Sequence, residues 1–310
     1  MTTFDTSHVM RILIQQIING LTTGSVYALI ALGYTMVYGI IELINFAHGD
    51  IYMVGAYGGL IALTLLGTMS TALHLSGMGA LLVGLMAGML LAAAYGFTVE
   101  KLAYRPLRKA SRLSLLITAL GVSLFLENFV MIGQGASDKT YVSIGMLNRN
   151  FIVGGVSITM SQIVIFIAAF AIMLGLDLFI NKTMTGRAMK AASQDPVTVQ
   201  LVGINTDRII SLTFVIGSAL AGAAGVLVGF YYGVINFSIG YLAGMKAFTA
   251  AVLGGIGDIG GAMVGGLVLG LLESLGAAYL SSEYKDAFAF IVLILLLLIR
   301  PSGLFGSSRS

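Results

Sequence analysis

Residues 209–232 read IISLTFVIGSALAGAAGVLVGFYY, a run without one charged side chain. About 20 mostly apolar helical residues cross roughly 30 Å of hydrocarbon, so this stretch is long enough to span a bilayer. Working outward, apolar runs bounded by Gly, Pro or charges recur at 12–41, 51–67, 77–98, 113–133, 161–180, 241–256, 259–280 and 286–300. The 310 residues are 58% hydrophobic and only 9% charged, with a mean hydropathy of +0.99; a soluble domain carries roughly 25% charged residues. The pattern predicts an all-α, polytopic integral membrane helical bundle with about eight to ten transmembrane segments, forming one domain over 1–310.

The run at 12–41 exceeds one simple span and is interrupted by Asn19-Gly20-Leu21-Thr22-Thr23-Gly24. An interfacial helix followed by a span, or a kinked helix, both fit. The opening MTTFDTSHVMR lacks the basic, apolar and small-residue sequence of a removable signal peptide, so the first apolar segment is expected to be retained. Basic residues cluster at Lys101, Arg105, Arg108, Lys109 and Arg112, at Lys182, Arg187, Lys190 and Arg208, and at Arg300 and Arg309. Their clustering marks those connectors as cytoplasmic and places 134–160 outside. Pro106, Pro196 and Pro301 all fall on that inward side, so no span is expected to carry a proline kink. The net charge of +3 resides in these loops, where it reports orientation and gives no footing to a nucleic-acid partner. The absence of cysteine excludes disulfides and thiolate metal sites.

Sliding the chain by about 191 residues lays Ile44-Asn45-Phe46-Ala47-His48-Gly49 over Ile235-Asn236-Phe237-Ser238-Ile239-Gly240. With nine spans the two copies face opposite sides, the pattern of an inverted repeat. Gly133 to Thr140 imitates a phosphate-binding loop, but Asp138 occupies the required glycine position and no strand precedes it. No catalytic constellation and no metal-binding set is found, so no enzymatic activity and no cofactor are expected in this chain. Ionisable residues near membrane depth are Glu42, His48, Asp50, Glu127, Asp177, Lys246, Asp258 and Glu273; buried charges of this kind face the bundle interior. Lys246 and Glu273 are expected to pair, Asp177 to be interfacial and Asp258 to sit in a Gly-rich turn. Glu42, His48 and Asp50 either line a passage or end a half-helix.

The longest polar passage is GRAMKAASQDPVTVQLVGINTDR, 186–208. Asp195 as N-cap, Pro196 at the first helical position and Gly203 as the stop predict a two-turn helix over 196–202. A helix so short is unstable alone, so it needs a partner, either the membrane surface or another protein. The stretch 187–194 before it is also a good helix former.

Long blocks of this chain resemble the permease subunits of bacterial high-affinity branched-chain amino acid ABC transporters, those of leucine, isoleucine and valine uptake, and in particular the first of the two different permeases. The blocks are YALIALGYTMVYGIIELINFAHGDIYMVGAY, EKLAYRPLRK, GRAMKAASQDPVTVQLVGINTDR running on through the span at 209–232, GYLAGMKAFTAAVLGGIGDIGGAMVGGLVLGLLE and YLSSEYKD. The resemblance implies a plasma-membrane permease driven by separate ATP-binding subunits. It implies a cytoplasmic coupling loop, here 182–208, related to a Glu-Ala-Ala-x-x-x-Gly pattern. Lys190-Ala191-Ala192 stands where that triplet belongs, and Gly203 comes later than the pattern's glycine. Arg187, Lys190, Ala191, Ala192, Asp195, Pro196, Gly203 and Asn205 are then expected near the ATPase, and Asn45, His48 and Asn236 along the passage. The implied partners are a second permease, two subunits that bind ATP and Mg²⁺, and a soluble substrate-binding protein docking on 134–160. Related permeases import urea, short amides or other amino acids, and the apolar spans do not choose between these solutes. A carrier or channel working alone is the remaining alternative, and it would have no use for a capped docking helix.

Overall fold

The computed structural model describes residues 6–69, 77–108, 110–195, 197–300 and 302–305; Lys109, Pro196, Pro301 and Arg309 lie outside them. Among the described residues, nine helices occupy the nine apolar runs: α1 (Thr6–Ile41), α2 (His48–Met69), α3 (Gly77–Val99), α4 (Arg112–Gln134), α5 (Met160–Lys182), α8 (Thr206–Tyr232), α9 (Ile239–Gly254), α10 (Ile259–Tyr279) and α11 (Lys285–Ile299). Two short helices, α6 (Met184–Gln194) and α7 (Thr198–Leu201), fill the polar passage between α5 and α8. Seven of the described helices are long and apolar enough to cross a membrane; α9, with 16 residues, and α11, with 15, are shorter. The first run is not divided: α1 is one continuous helix of 36 residues, and Gly20 and Gly24 pack against the backbone of α10. Of the two-turn helix expected over 196–202, Thr198–Leu201 is helical and Val202 leaves the helix ahead of the turn at Gly203, while Pro196 lies outside the described residues.

One face of the bundle carries the basic connectors, and the other carries 134–160. The latter is not helical throughout. Strands β2 (Asn150–Val153) and β3 (Val156–Thr159) form an antiparallel hairpin, and β1 (Lys139–Thr140) pairs antiparallel with β4 (Val234–Ile235) after α8. Outside the hydrocarbon, backbone groups need not be satisfied within a helix, so short ribbons are allowed there. Tyr141 packs between α2 and α8, its hydroxyl donating to the Ala56 carbonyl at 3.2 Å, and burial pushes its phenol up. The Gln15 side chain exchanges two 2.9 Å hydrogen bonds with the Ser157 backbone, which puts the start of α1 on this face. The end of α1 lies at the basic face and α8 starts there, so the two run antiparallel.

The contacts of α1 to α4 repeat in α8 to α11. Helix α1 packs on α10 as α8 packs on α3; α2 touches α3, α8 and α4 as α9 touches α10, α1 and α11. The paired sets run in opposite directions, giving an inverted repeat whose two halves meet at α1/α8 and α2/α9. In lipid, close backbone approach takes the place of hydrophobic driving force between helices. The α1/α10 seam shows it: a Cβ on Gly24 would stand 2.8 Å from the Leu267 Cα and 2.9 Å from the Gly266 oxygen. A side chain there would force the helices apart.

Candidate coupling face and passage

Polar geometry on the basic face starts with the connector from α3 to α4. Past Val99 the helix widens into a π-helical turn, Glu100–Tyr104, then a 3₁₀ turn, Arg105–Leu107; such widened turns often mark functional positions. Four side chains of this connector reach neighbouring groups. Glu100 is fully buried and accepts from Arg108 and, at 2.7 Å, from Ser211 of α8. Arg105 and Arg108 each hold one oxygen of Asp207, in the first turn of α8, at 2.6 Å. The Tyr104 hydroxyl donates to Asn45 Oδ1 at 2.8 Å, in the connector between α1 and α2. Three chain segments are thus clamped at the point where α8 begins.

Directly before α8 comes the expected coupling element. The Thr183 hydroxyl caps α6 by accepting from the Gly186 N–H at 3.0 Å, and α6 lies under α5, α1 and α8 with Gly186, Met189 and Ala192 turned inward. Arg187 and Lys190 face out, Ala191 is half-buried and Ala192 is fully buried. Ala192 therefore anchors α6 to the bundle and leaves the outward face to its neighbours. Asp195 Oδ1 accepts from the N–H groups of Val197 at 2.9 Å and Thr198 at 3.0 Å, capping α7. The Thr198 hydroxyl, then the N–H groups of Thr198 and Val197, hold the Asp195 carboxyl below the usual carboxylate range. At the other end Gly203, at φ +82°, closes α7. Its N–H bonds the Gln200 carbonyl and the Ile204 N–H bonds the Val199 carbonyl, the paired bonds of a Schellman stop. Asn205 then caps α8, its Oδ1 accepting from the Arg208 N–H at 3.1 Å. Pro196 lies outside the described residues.

What this scaffold presents is apolar. Leu201 is 83% exposed and Val202 72% exposed, at the tip of a short helix on a charged face. Reading the sequence for caps and basic residues found the helix but missed these two side chains. It also treated Arg105 and Arg108 only as markers of orientation, and overlooked Glu100 and Asp207.

Two cavities enter the bundle from opposite faces. The one on the basic face, about 330 Å³, is lined by Thr35, Gly39, Asp177, Lys190 and Asp258 among others. The one on the opposite face, about 340 Å³, is lined by parts of α1, α2, α8, α9 and α11. Along α1 their linings are Thr35–Ile40 and Thr22–Tyr27, and between them lies an aromatic layer. In it Tyr34 meets His48 edge-on at 4.8 Å and Phe248 at 6.2 Å, and Phe248 meets Phe46 at 6.0 Å.

His48 and Asn45 are buried at this layer, and the imidazole nitrogens of His48 stand outside hydrogen-bond geometry. Asn236 is elsewhere. It links to Asp138 at 3.2 Å and accepts from the Ser238 N–H and hydroxyl, tying the start of α9 to the outer segment, and it lines neither cavity. Lys246 and Glu273 do pair, at 2.7 Å, and Asp286 joins them at 2.5 Å from the same ammonium. Asp258 caps α10 through the Gly261 N–H, and Asp177 accepts from Asn181 at 2.8 Å.

Comparison with known proteins agrees with this architecture. The chain is 52% identical over 301 residues to the high-affinity branched-chain amino acid transport system permease protein BraD of Pseudomonas aeruginosa, covering 94% of this chain and 95% of that protein. It is 51% identical over 302 residues, with the same coverage, to the corresponding permease LivH of Escherichia coli K12. A solved ABC transporter, described as of metal-chelate type and inward-facing, superposes with a TM-score of 0.52 at 15% identity, over 96% of this chain and 92% of that one. That likeness is one of fold. Residues 16–297 match the family described as branched-chain amino acid transport system / permease component. With its apolar spans and these relatives, the protein is a multi-pass protein of the inner membrane, and it belongs to the permease components of branched-chain amino acid transport systems.

Proposed function

We propose that this chain is the membrane-spanning permease subunit of an ATP-driven importer for leucine, isoleucine and valine. In this reading the basic face is cytoplasmic and carries the coupling loop over 182–208. Leu201 and Val202 enter a groove on an ATP-binding subunit, with Arg187 and Lys190 alongside. Two such subunits bind ATP and Mg²⁺. A second, different permease completes the passage, and a soluble binding protein delivers the amino acid to the face carrying 134–160.

The observation that carries this reading is the capped helix α7 with its exposed Leu201 and Val202. Burying them in a partner supplies the stabilisation that a four-residue helix lacks. The clamp of Arg105 and Arg108 on Asp207 joins the start of α8, directly after this helix, to the end of α3 and the α1/α2 connector, so a push on α7 is passed to both repeats. Cavities on both faces with an aromatic layer between them suit alternating access, in which closure of one opening accompanies release of the other.

The test is uptake of labelled leucine by membranes holding all the subunits, with unlabelled competitors. Isoleucine and valine compete on this reading. Competition by urea or a short amide alone would reassign the solute. Wild-type uptake by Leu201→Glu, with its ATPase subunits still co-purifying, would remove the coupling role.

A further inference from the structure

The cavity on the outer face is more than a vestibule. Its floor is a charge cluster that mean hydropathy argues against: Lys246, 6% exposed, bridges Glu273 at 2.7 Å and Asp286 at 2.5 Å. The Tyr27 hydroxyl donates to the other Glu273 oxygen at 2.8 Å, and the Lys246 ammonium stands 5.7 Å from the Tyr27 ring centre. Glu273 is therefore committed to Lys246 and Tyr27. Lys246 and Asp286 both line the cavity, as does Lys285, whose ammonium makes no ion pair among the described residues. Two lysines against two carboxylates make a neutral but strongly dipolar end. Apart from Thr22 and Thr23, the rest of the lining is apolar and aromatic, and includes Val26, Val228, Leu242, Ala243, Tyr52 and Tyr231.

From this juxtaposition we infer that the outer cavity is a binding site for a free aliphatic α-amino acid, its carboxylate on Lys285, its ammonium on Asp286, and its side chain against Val26, Val228 and Ala243. A volume of about 340 Å³ falls within the range of small-ligand pockets, roughly 300–1,000 Å³. A zwitterion matches a neutral site holding one unpaired cation and a half-exposed carboxylate; a net anion or cation would leave one charge unanswered. The site lies on the delivery side of the Tyr34, His48 and Phe248 layer, so its occupant waits there before crossing. The inference rests on the proposed permease role and gives that role a location.

Since the chain has no cysteine of its own, Ala243→Cys offers a single reporter on this subunit. The complex, reconstituted in nanodiscs, is treated with a maleimide, and modification of this chain is followed by mass spectrometry with leucine, isovalerate or isoamylamine present. Leucine at ten times its dissociation constant fills about 90% of sites and slows labelling about tenfold. Isovalerate is valine without its ammonium and isoamylamine is leucine without its carboxylate, so each protects much less, and Asp286→Asn removes the protection by leucine. Thr23→Cys, on the α1 side of the lining, serves if the first variant fails to assemble.

Labelling unaffected by leucine, or no labelling of either cysteine, overturns the site. So does equal protection by isovalerate. Phosphatidylethanolamine presents a similar headgroup: protection appearing in phosphatidylethanolamine nanodiscs without leucine, and absent in phosphatidylcholine, assigns the cavity to lipid and also overturns it. Because binding is read without turnover, a complex that protects but does not take up leucine refutes the permease reading and leaves the site standing; uptake without protection does the reverse.

Discussion

Gly49, at the start of α2, and Gly240, at the start of α9, touch backbone to backbone: a Cβ on Gly240 would stand 2.7 Å from the Gly49 carbonyl oxygen and 2.9 Å from the Asp50 Cα. These are the final residues of the two repeat copies, brought together where the inverted halves meet. Gly240→Val is therefore expected to destabilise the protein by at least the roughly 1–3 kcal/mol of an overpacked core and to abolish uptake. Gly175→Ala, on α5 with nothing near its Cβ position, is expected to leave both unchanged. Thermal unfolding of the detergent-extracted complex compares the two, and equal behaviour would mean that this contact does not hold the halves together.

Arg108 is the centre of the clamp. Removing it as Arg108→Ala leaves the buried Glu100 without its cation, a loss of about 3–5 kcal/mol for a broken buried pair. Glu100→Gln in the Arg108→Ala background no longer buries an unpaired charge and is expected to recover a good part of the lost stability. A double-mutant cycle on the unfolding temperature measures this coupling; strictly additive changes would mean the pair does not act as a unit.

Gly203→Val places a β-branched side chain at φ +82°, a conformation costing roughly 1–2 kcal/mol for an ordinary residue and more for this one. Nothing stands near its Cβ position, so the damage is confined to the α7 stop. The expected result is a permease that still inserts and stays folded but recruits less of its ATPase partners. Affinity capture from a mild extract scores this directly, and full recruitment counts against the coupling role.

Asp195 carries a pH prediction. Its folded pKa lies below the unfolded value of about 3.9, so its capping contribution is complete above that value and is lost as pH falls through the folded one. ATPase stimulation through α7 is expected to show no Asp195-linked change between about pH 5 and 8. Asp195→Ala is expected to weaken it at every pH by removing the cap on α7. Comparing the pH profiles of both proteins decides the matter: a wild-type transition near neutrality that vanishes in Asp195→Ala contradicts a lowered carboxyl pKa.

The spans were legible because lipid imposes one rule, a long uncharged run, on every crossing; 209–232 and 161–180 need no tertiary information. The repeat was legible through Gly49 and Gly240, since a backbone contact tolerates no other residue. The caps at Asp195 and Gly203 are local and were read from neighbours in the chain, whereas the cap of Asn205 on α8 came only from the structure. Asn236 resembled Asn45 in sequence yet serves the outer segment, because its place depends on Asp138, 98 residues away. The clamp was invisible for the same reason: Arg105 and Asp207 are 102 residues apart, and a charge run in a loop looks the same whether or not a carboxylate awaits it.

The seam between α1 and α10 bears on how the protein is made. Gly24 lies on Leu267, about 240 residues further along the chain. At roughly 5–20 residues per second of synthesis, the first helix sits in the bilayer for some ten to fifty seconds before its neighbour exists. During that interval its glycine face meets lipid or the insertion machinery, and a nascent chain halted before residue 259 never covers it. Truncations at the C-terminal end are thus felt first at the N-terminal helix, which makes α1 the place to look for early degradation of incomplete chains.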